Sequence, residues 1–136
     1  MRIRCALVVV GASLLAGCGE QEDHANRERP AASINVTAAI ADGRIQVSPR
    51  RFGAGPIRLI ISNQTASAQA LTFETGGGAS GVTQSTQPIR PSGTATLEVD
   101  VPEGDYELSS SDGGVKAAAV TVGAPRESAQ NELLLP

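Results

Sequence analysis

The chain has 136 residues, 40% of them hydrophobic but only three aromatic (Phe52, Phe73 and Tyr106), and a formal net charge of −3. That length holds one domain at most, and the acidic balance gives no electrostatic case for binding nucleic acid. The two cysteines, Cys5 and Cys18, and the one histidine, His24, all stand near the start, so the remainder has neither thiol nor imidazole for chemistry.

Arg2 and Arg4 are followed by an uncharged run from Cys5 to Ala16. About a dozen apolar residues are too few for the roughly 20 of a spanning helix, so residues 1–17 read as an export signal. The run ends in Leu15-Ala16-Gly17-Cys18, which resembles the lipobox of bacterial lipoproteins. The resemblance implies cleavage before Cys18, whose thiol takes up diacylglycerol and whose freed amine takes a further chain such as palmitate. Two or three acyl chains suffice for stable anchoring. The expected product is an extracytoplasmic protein held by lipid on the cell membrane or the outer membrane. Losing Arg2 and Arg4 leaves it at a net charge of −5. With Cys18 in the anchor, no disulfide can form within the chain.

Residues 18–32 are polar and charged, and read as the lipidated cysteine and a flexible tether. Fourteen such residues span about 20 Å, which keeps the domain near the membrane. From Ser33 the pattern has period two: Ile34, Val36 and Ala38, a turn at Asp42-Gly43, then Ile45 and Val47. Pro56 to Asn63 is dense in branched residues, as in a strand near the centre of a sandwich. Leu71 and Phe73 follow on one face. Ala95, Leu97, Val99 and Val101 alternate with Thr94, Thr96, Glu98 and Asp100. Pro102-Glu103-Gly104 then turns into Tyr106 and Leu108, and Val115–Val122 closes the set. Seven to eight short strands and no amphipathic helix predict an all-β, antiparallel Greek-key β-sandwich over residues 33–122. Residues 123–136 are expected to be a frayed tail.

The order of these segments resembles the cupredoxin family. Gly55-Pro56-Ile57-Arg58-Leu59-Ile60-Ile61-Ser62-Asn63 is similar to the strand that precedes the first copper ligand there. Ile89-Arg90-Pro91-Ser92-Gly93-Thr94-Ala95 is similar to the Pro-Gly hairpin, and Val101-Pro102-Glu103-Gly104-Asp105-Tyr106-Glu107-Leu108 to the entry of the ligand-bearing loop. The likeness covers residues 34–122. Cupredoxins hold copper with two His, a Cys and usually a weak axial Met. Carried over, the first His falls near Gln69 and the Cys on Ser110. The second His and the Met fall in a shortened Asp112–Ala117 loop, and none of the equatorial ligands is kept. The resemblance therefore implies a cupredoxin-like fold without cofactor or metal.

Other chemistries have little support. Ser109, Ser110 and Ser111 lack a histidine base, and Lys116 is the domain's only lysine, which leaves no nucleophile–base pair. Gly76-Gly77-Gly78-Ala79-Ser80-Gly81 lacks the lysine and helix of a phosphate loop. Glu98, Asp100, Asp105 and Glu107 would share one exposed face if their strands pair across Pro102–Gly104. Such a face is a candidate for Ca²⁺ or a basic partner. The 76–81 and Ser109–Gly114 loops are expected together at the end where copper would sit. The expectation is a non-enzymatic binding or structural module with an envelope protein as partner. The alternative is an accessory to copper or iron handling that binds metal weakly, through His24 and the free amine region.

Overall fold

A computed structural model describes residues 29–41, 43–78 and 80–128. The expected signal, Cys18, His24, most of the expected tether and the final Leu133-Leu134-Leu135 lie outside these residues. Eight strands follow in order: β1 (Ile34–Ala41), β2 (Arg44–Ser48), β3 (Arg51–Asn63), β4 (Leu71–Thr75), β5 (Thr83–Ser85), β6 (Thr94–Val101), β7 (Gly104–Ser110) and β8 (Ala118–Pro125). The described residues contain no α-helix, and none is long and apolar enough to cross a membrane.

The expected sandwich forms, in mixed rather than wholly antiparallel sheets. One layer runs β2-β1-β3-β6, the other β8-β7-β4-β5, and β3 belongs to both. Its first residues, Arg51–Ala54, lie parallel to β8; after a register shift at Gly53/Ala54 it pairs with β1 (parallel) and β6 (antiparallel). Gly55 sits at that crossing with φ 124°, a conformation that L side chains rarely adopt. β3 thus starts five residues before the branched run that announced it, because two glycines hide the strand pattern at Arg51–Gly55.

Period two does its expected work elsewhere. Ile57, Leu59 and Ile61 of β3 and Leu71 and Phe73 of β4 are buried, and so are Tyr106 and Leu108 of β7 and Val120 and Val122 of β8. Phe73 and Tyr106 stack with centroids 5.0 Å apart. The Tyr106 hydroxyl donates to Pro102 O at 2.9 Å, tying the turn to the core. That turn carries the chain from one sheet to the other, since β6 pairs with β3 and β7 with β4 and β8.

The domain continues beyond residue 122. β8 runs to Pro125, and Arg126 reaches back into a slot beside Gly53 and Gly55. Its guanidinium donates to four carbonyls: Ala32 (2.6 Å), Gly53 (3.0 Å), Ala54 (3.3 Å) and Pro56 (2.7 Å). A Cβ on Gly53 would lie 2.6 Å from Arg126 Cγ, so the slot requires glycine there. Ala32, the last residue of the expected tether, and Arg126, in the expected tail, are therefore bound together at one end of the sandwich.

Candidate functional site

The opposite end collects Gln69, Ser110 and Asp112, the residues that the cupredoxin resemblance sets against copper ligands. β1 enters at Ile34 beside Arg126's slot and climbs to Ala41; there the Gly43 turn (φ 69°), the 64–70 loop, the 89–93 turn and the 111–117 loop meet. Asn63, fully buried at the end of β3, organises this end. Its Nδ2 donates to Ser67 O (2.7 Å) and Ile89 O (2.8 Å), and its Oδ1 accepts from Thr65 N (3.0 Å) and Thr65 Oγ1 (2.7 Å). The 64–69 loop is thereby held against the 89–93 turn.

Gln69 is 3% exposed, and its backbone exchanges two hydrogen bonds with Ile89. Ser110 ends β7 opposite Leu71. The two predicted positions meet: Ser110 Oγ donates to Gln69 Oε1 at 2.7 Å. Gln69 Nε2 donates to Ser67 Oγ (3.0 Å) and to Asp112 Oδ2 (3.5 Å), while Asp112 Oδ1 accepts from Gly114 N (3.0 Å). Every strong donor and acceptor of the Gln69 amide has a partner, as a buried amide requires.

This donor set does not fit copper. Amide and hydroxyl oxygens lack the imidazole and thiolate character that copper sites use, and here they are spent on one another. Binding a cation would mean breaking the Ser110–Gln69 bond and reorienting a buried amide. Among the described residues, no three His, Cys, Asp or Glu side chains are grouped to hold a metal.

Two sequence expectations are corrected by the strand register. Glu98 and Asp100 do not share a face with Asp105 and Glu107. The first pair lies on the outer face of β6, beside β3, and the second on the outer face of β7, in the other sheet. Glu98 instead meets Arg58 at 3.0 Å, both side chains exposed, a pair of small energetic weight. Asp105 accepts from Thr121 Oγ1 at 3.0 Å. The four-carboxylate calcium face therefore does not form. Likewise, the glycine-rich loop does not join the Ser109–Gly114 loop. β4 runs antiparallel to β7, so Gly76 packs near Asp105 and Tyr106, at the far end of β7 from Ser110. Ser67, which accepts from Gln69 Nε2, and Asn63, which holds the Ser67 carbonyl, are the members of the polar cluster that residue types alone did not single out; the Asn that ends the branched run was the available signal.

No family model matches the sequence, and no curated protein matches it. Solved structures do. The fold is similar to auracyanin A, a "blue" copper protein from Chloroflexus aurantiacus, at TM-score 0.55 and 10% identity, over 68% of this chain and 100% of that one. Rusticyanin aligns at TM-score 0.54 and 13% identity, over 66% of this chain and 79% of that one. Auracyanin from Roseiflexus castenholzii aligns at TM-score 0.50 and 15% identity, over 68% and 98%. At such identities the likeness is one of fold: the sandwich is cupredoxin-like.

Proposed function

We propose that this protein is a lipid-anchored extracytoplasmic lipoprotein whose cupredoxin-like domain carries no copper and serves as a binding or structural module rather than an enzyme. The observation that supports it best is the 2.7 Å Ser110–Gln69 hydrogen bond. It joins the positions of the first His and the Cys of the copper-binding pattern into a closed polar contact. The anchor is supported by the lipobox-like Leu15-Ala16-Gly17-Cys18 after an apolar run too short to span a membrane. A fold of this class hosts unrelated functions, so the module reading rests on the site and not on the architecture.

Two measurements test the two halves. Full-length protein expressed in a bacterium fed labelled palmitate should incorporate label, and Cys18→Ser should abolish it; label retained by the variant refutes the anchor. Titration of Cu(I) and Cu(II) into isotope-labelled protein should leave the amide resonances of Gln69 and Ser110–Val115 in place. Saturable shifts there would refute the copper-free reading and favour a role in metal handling.

A further inference from the structure

Among the described strands at the sheet borders, β6 alone offers a long, regular edge. β2 has five residues and β5 three, whereas β6 runs for eight with no proline, glycine or register shift. Its one hydrogen-bonded neighbour strand is β3. Asn63 N donates to Gly93 O at 2.9 Å, and successive pairs of an antiparallel ladder alternate between bonded and non-bonded. Ala95, Leu97, Val99 and Val101 therefore direct their backbone groups to β3, and Thr94, Thr96, Glu98 and Asp100 turn theirs outward. Exposed edges of this length are usually blunted by charged side chains, proline or a bulge; β6 has no proline or bulge, and its charges, Glu98 and Asp100, are both negative.

The side chains along the edge specify what it accepts. On the core side Ala95 and Leu97 are only partly buried, since no strand lies beyond β6 to cover them. On the outer side stand Thr94, Thr96, Glu98 and Asp100, all exposed. Glu98 meets Arg58, while Asp100 lies opposite Pro56 and has no ion-pair partner among the described residues.

We propose that β6 is a docking edge for an extended segment of a partner protein, which adds to the sheet as a further strand. Its outward residues are Lys or Arg facing Glu98 and Asp100, and its inward residues are aliphatic, covering Ala95 and Leu97. This rests on the binding-module reading and names the chemistry of the partner. A second copy of the chain is a poorer occupant. Pairing β6 antiparallel to itself about Leu97 sets Thr96 against Glu98 and Thr94 against Asp100, so the carboxylates gain no cation. It also points the two tether ends in opposite directions. The chain's own ends do not supply the strand either: residues 19–28 carry one Arg (Arg27) among four carboxylates, and residues 129–136 carry Glu132 and no cation.

The test uses isotope-labelled full-length protein in detergent and a capped eight-residue peptide of alternating lysine and valine. Saturable amide shifts centred on Gly93–Val101 are expected. The same peptide N-methylated at alternate residues, unchanged in charge, should bind about tenfold more weakly or worse. Thr96→Pro removes an outward N–H that the β3 ladder does not use, and an edge tolerates proline at such a position; it should lower affinity by the same factor. Three results overturn the proposal: no saturable shift at millimolar peptide, undiminished binding of the N-methylated peptide, or self-association of the protein that Thr96→Pro abolishes. Adding copper to the same sample separates the two levels of failure. Silence toward both peptide and copper removes the docking edge and leaves the module, whereas copper shifts at Gln69 and Ser110 remove the module.

Discussion

Gln69 and Ser110 are a single polar unit, and its energetics follow from what each deletion leaves behind. Ser110→Ala strips Gln69 Oε1 of its 2.7 Å donor inside a nearly sealed environment. A buried acceptor left without a partner costs about 1–3 kcal/mol. Replacing both partners by apolar groups of similar shape removes the stranded atom, so Gln69→Met with Ser110→Ala should cost less than the two single changes summed. Urea unfolding of the four proteins measures this, and strict additivity would show that the bond carries no coupling. Both residues were singled out in the sequence by the cupredoxin resemblance. Their contact was not, because it depends on where the 64–70 loop is pinned, and Asn63 pins it through bonds to residues as distant in sequence as Ile89.

At the level of the strands, alternation alone located β1, β2, β4, β6 and β7, since each turns one face of apolar residues inward. Three pieces escaped it, one of them the end of β8 beyond Val122. β5 is Thr-Gln-Ser with every residue exposed, and the start of β3 is interrupted by Gly53 and Gly55. Which strands pair was also hidden. The sequence Pro102-Glu103-Gly104 reads as a hairpin turn, yet here it crosses between sheets, and Tyr106 holds the crossing through Pro102 O. Burial raises the Tyr106 hydroxyl above the usual 10.0. The unfolded chain therefore releases this proton first. Stability from this residue is fully present below about pH 10 and declines as pH rises from there toward the higher folded value. Tyr106→Phe should abolish that part of the alkaline decline while losing one hydrogen bond, about 1 kcal/mol, at neutral pH. Unfolding midpoints from pH 8 to 11 compare the two proteins; the same decline in both would place its origin elsewhere.

Across the whole molecule, the two ends of the sandwich have different tasks. One is sealed by the Asn63 and Gln69 networks, and the other is bolted by Arg126 to Ala32, Gly53, Ala54 and Pro56. Arg126→Ala should cost about 2–3 kcal/mol, since four carbonyls lose a charged donor at once. Arg126→Lys should recover little of this, because one ammonium cannot reproduce a planar fork aimed at carbonyls on separate segments. Equal stability of the Lys variant and the native protein would show that charge, not geometry, matters there. The chain beyond residue 122 looked like a tail because Gly123-Ala124-Pro125 breaks the alternation and Arg126-Glu127-Ser128 is polar; its role depends on a slot made by glycines some seventy residues earlier.

The parallel pairing of β1 with β3 also sets how the domain bears load. Held through Cys18 as proposed, the protein would take any pull between membrane and partner at the point where the chain enters β1. Arg126 grips Ala32 just before that point, and seven registered residue pairs, Ile34–Ile57 to Ile40–Asn63, lie along the line of force. Tension along β1 would load those seven pairs together instead of peeling them one rung at a time.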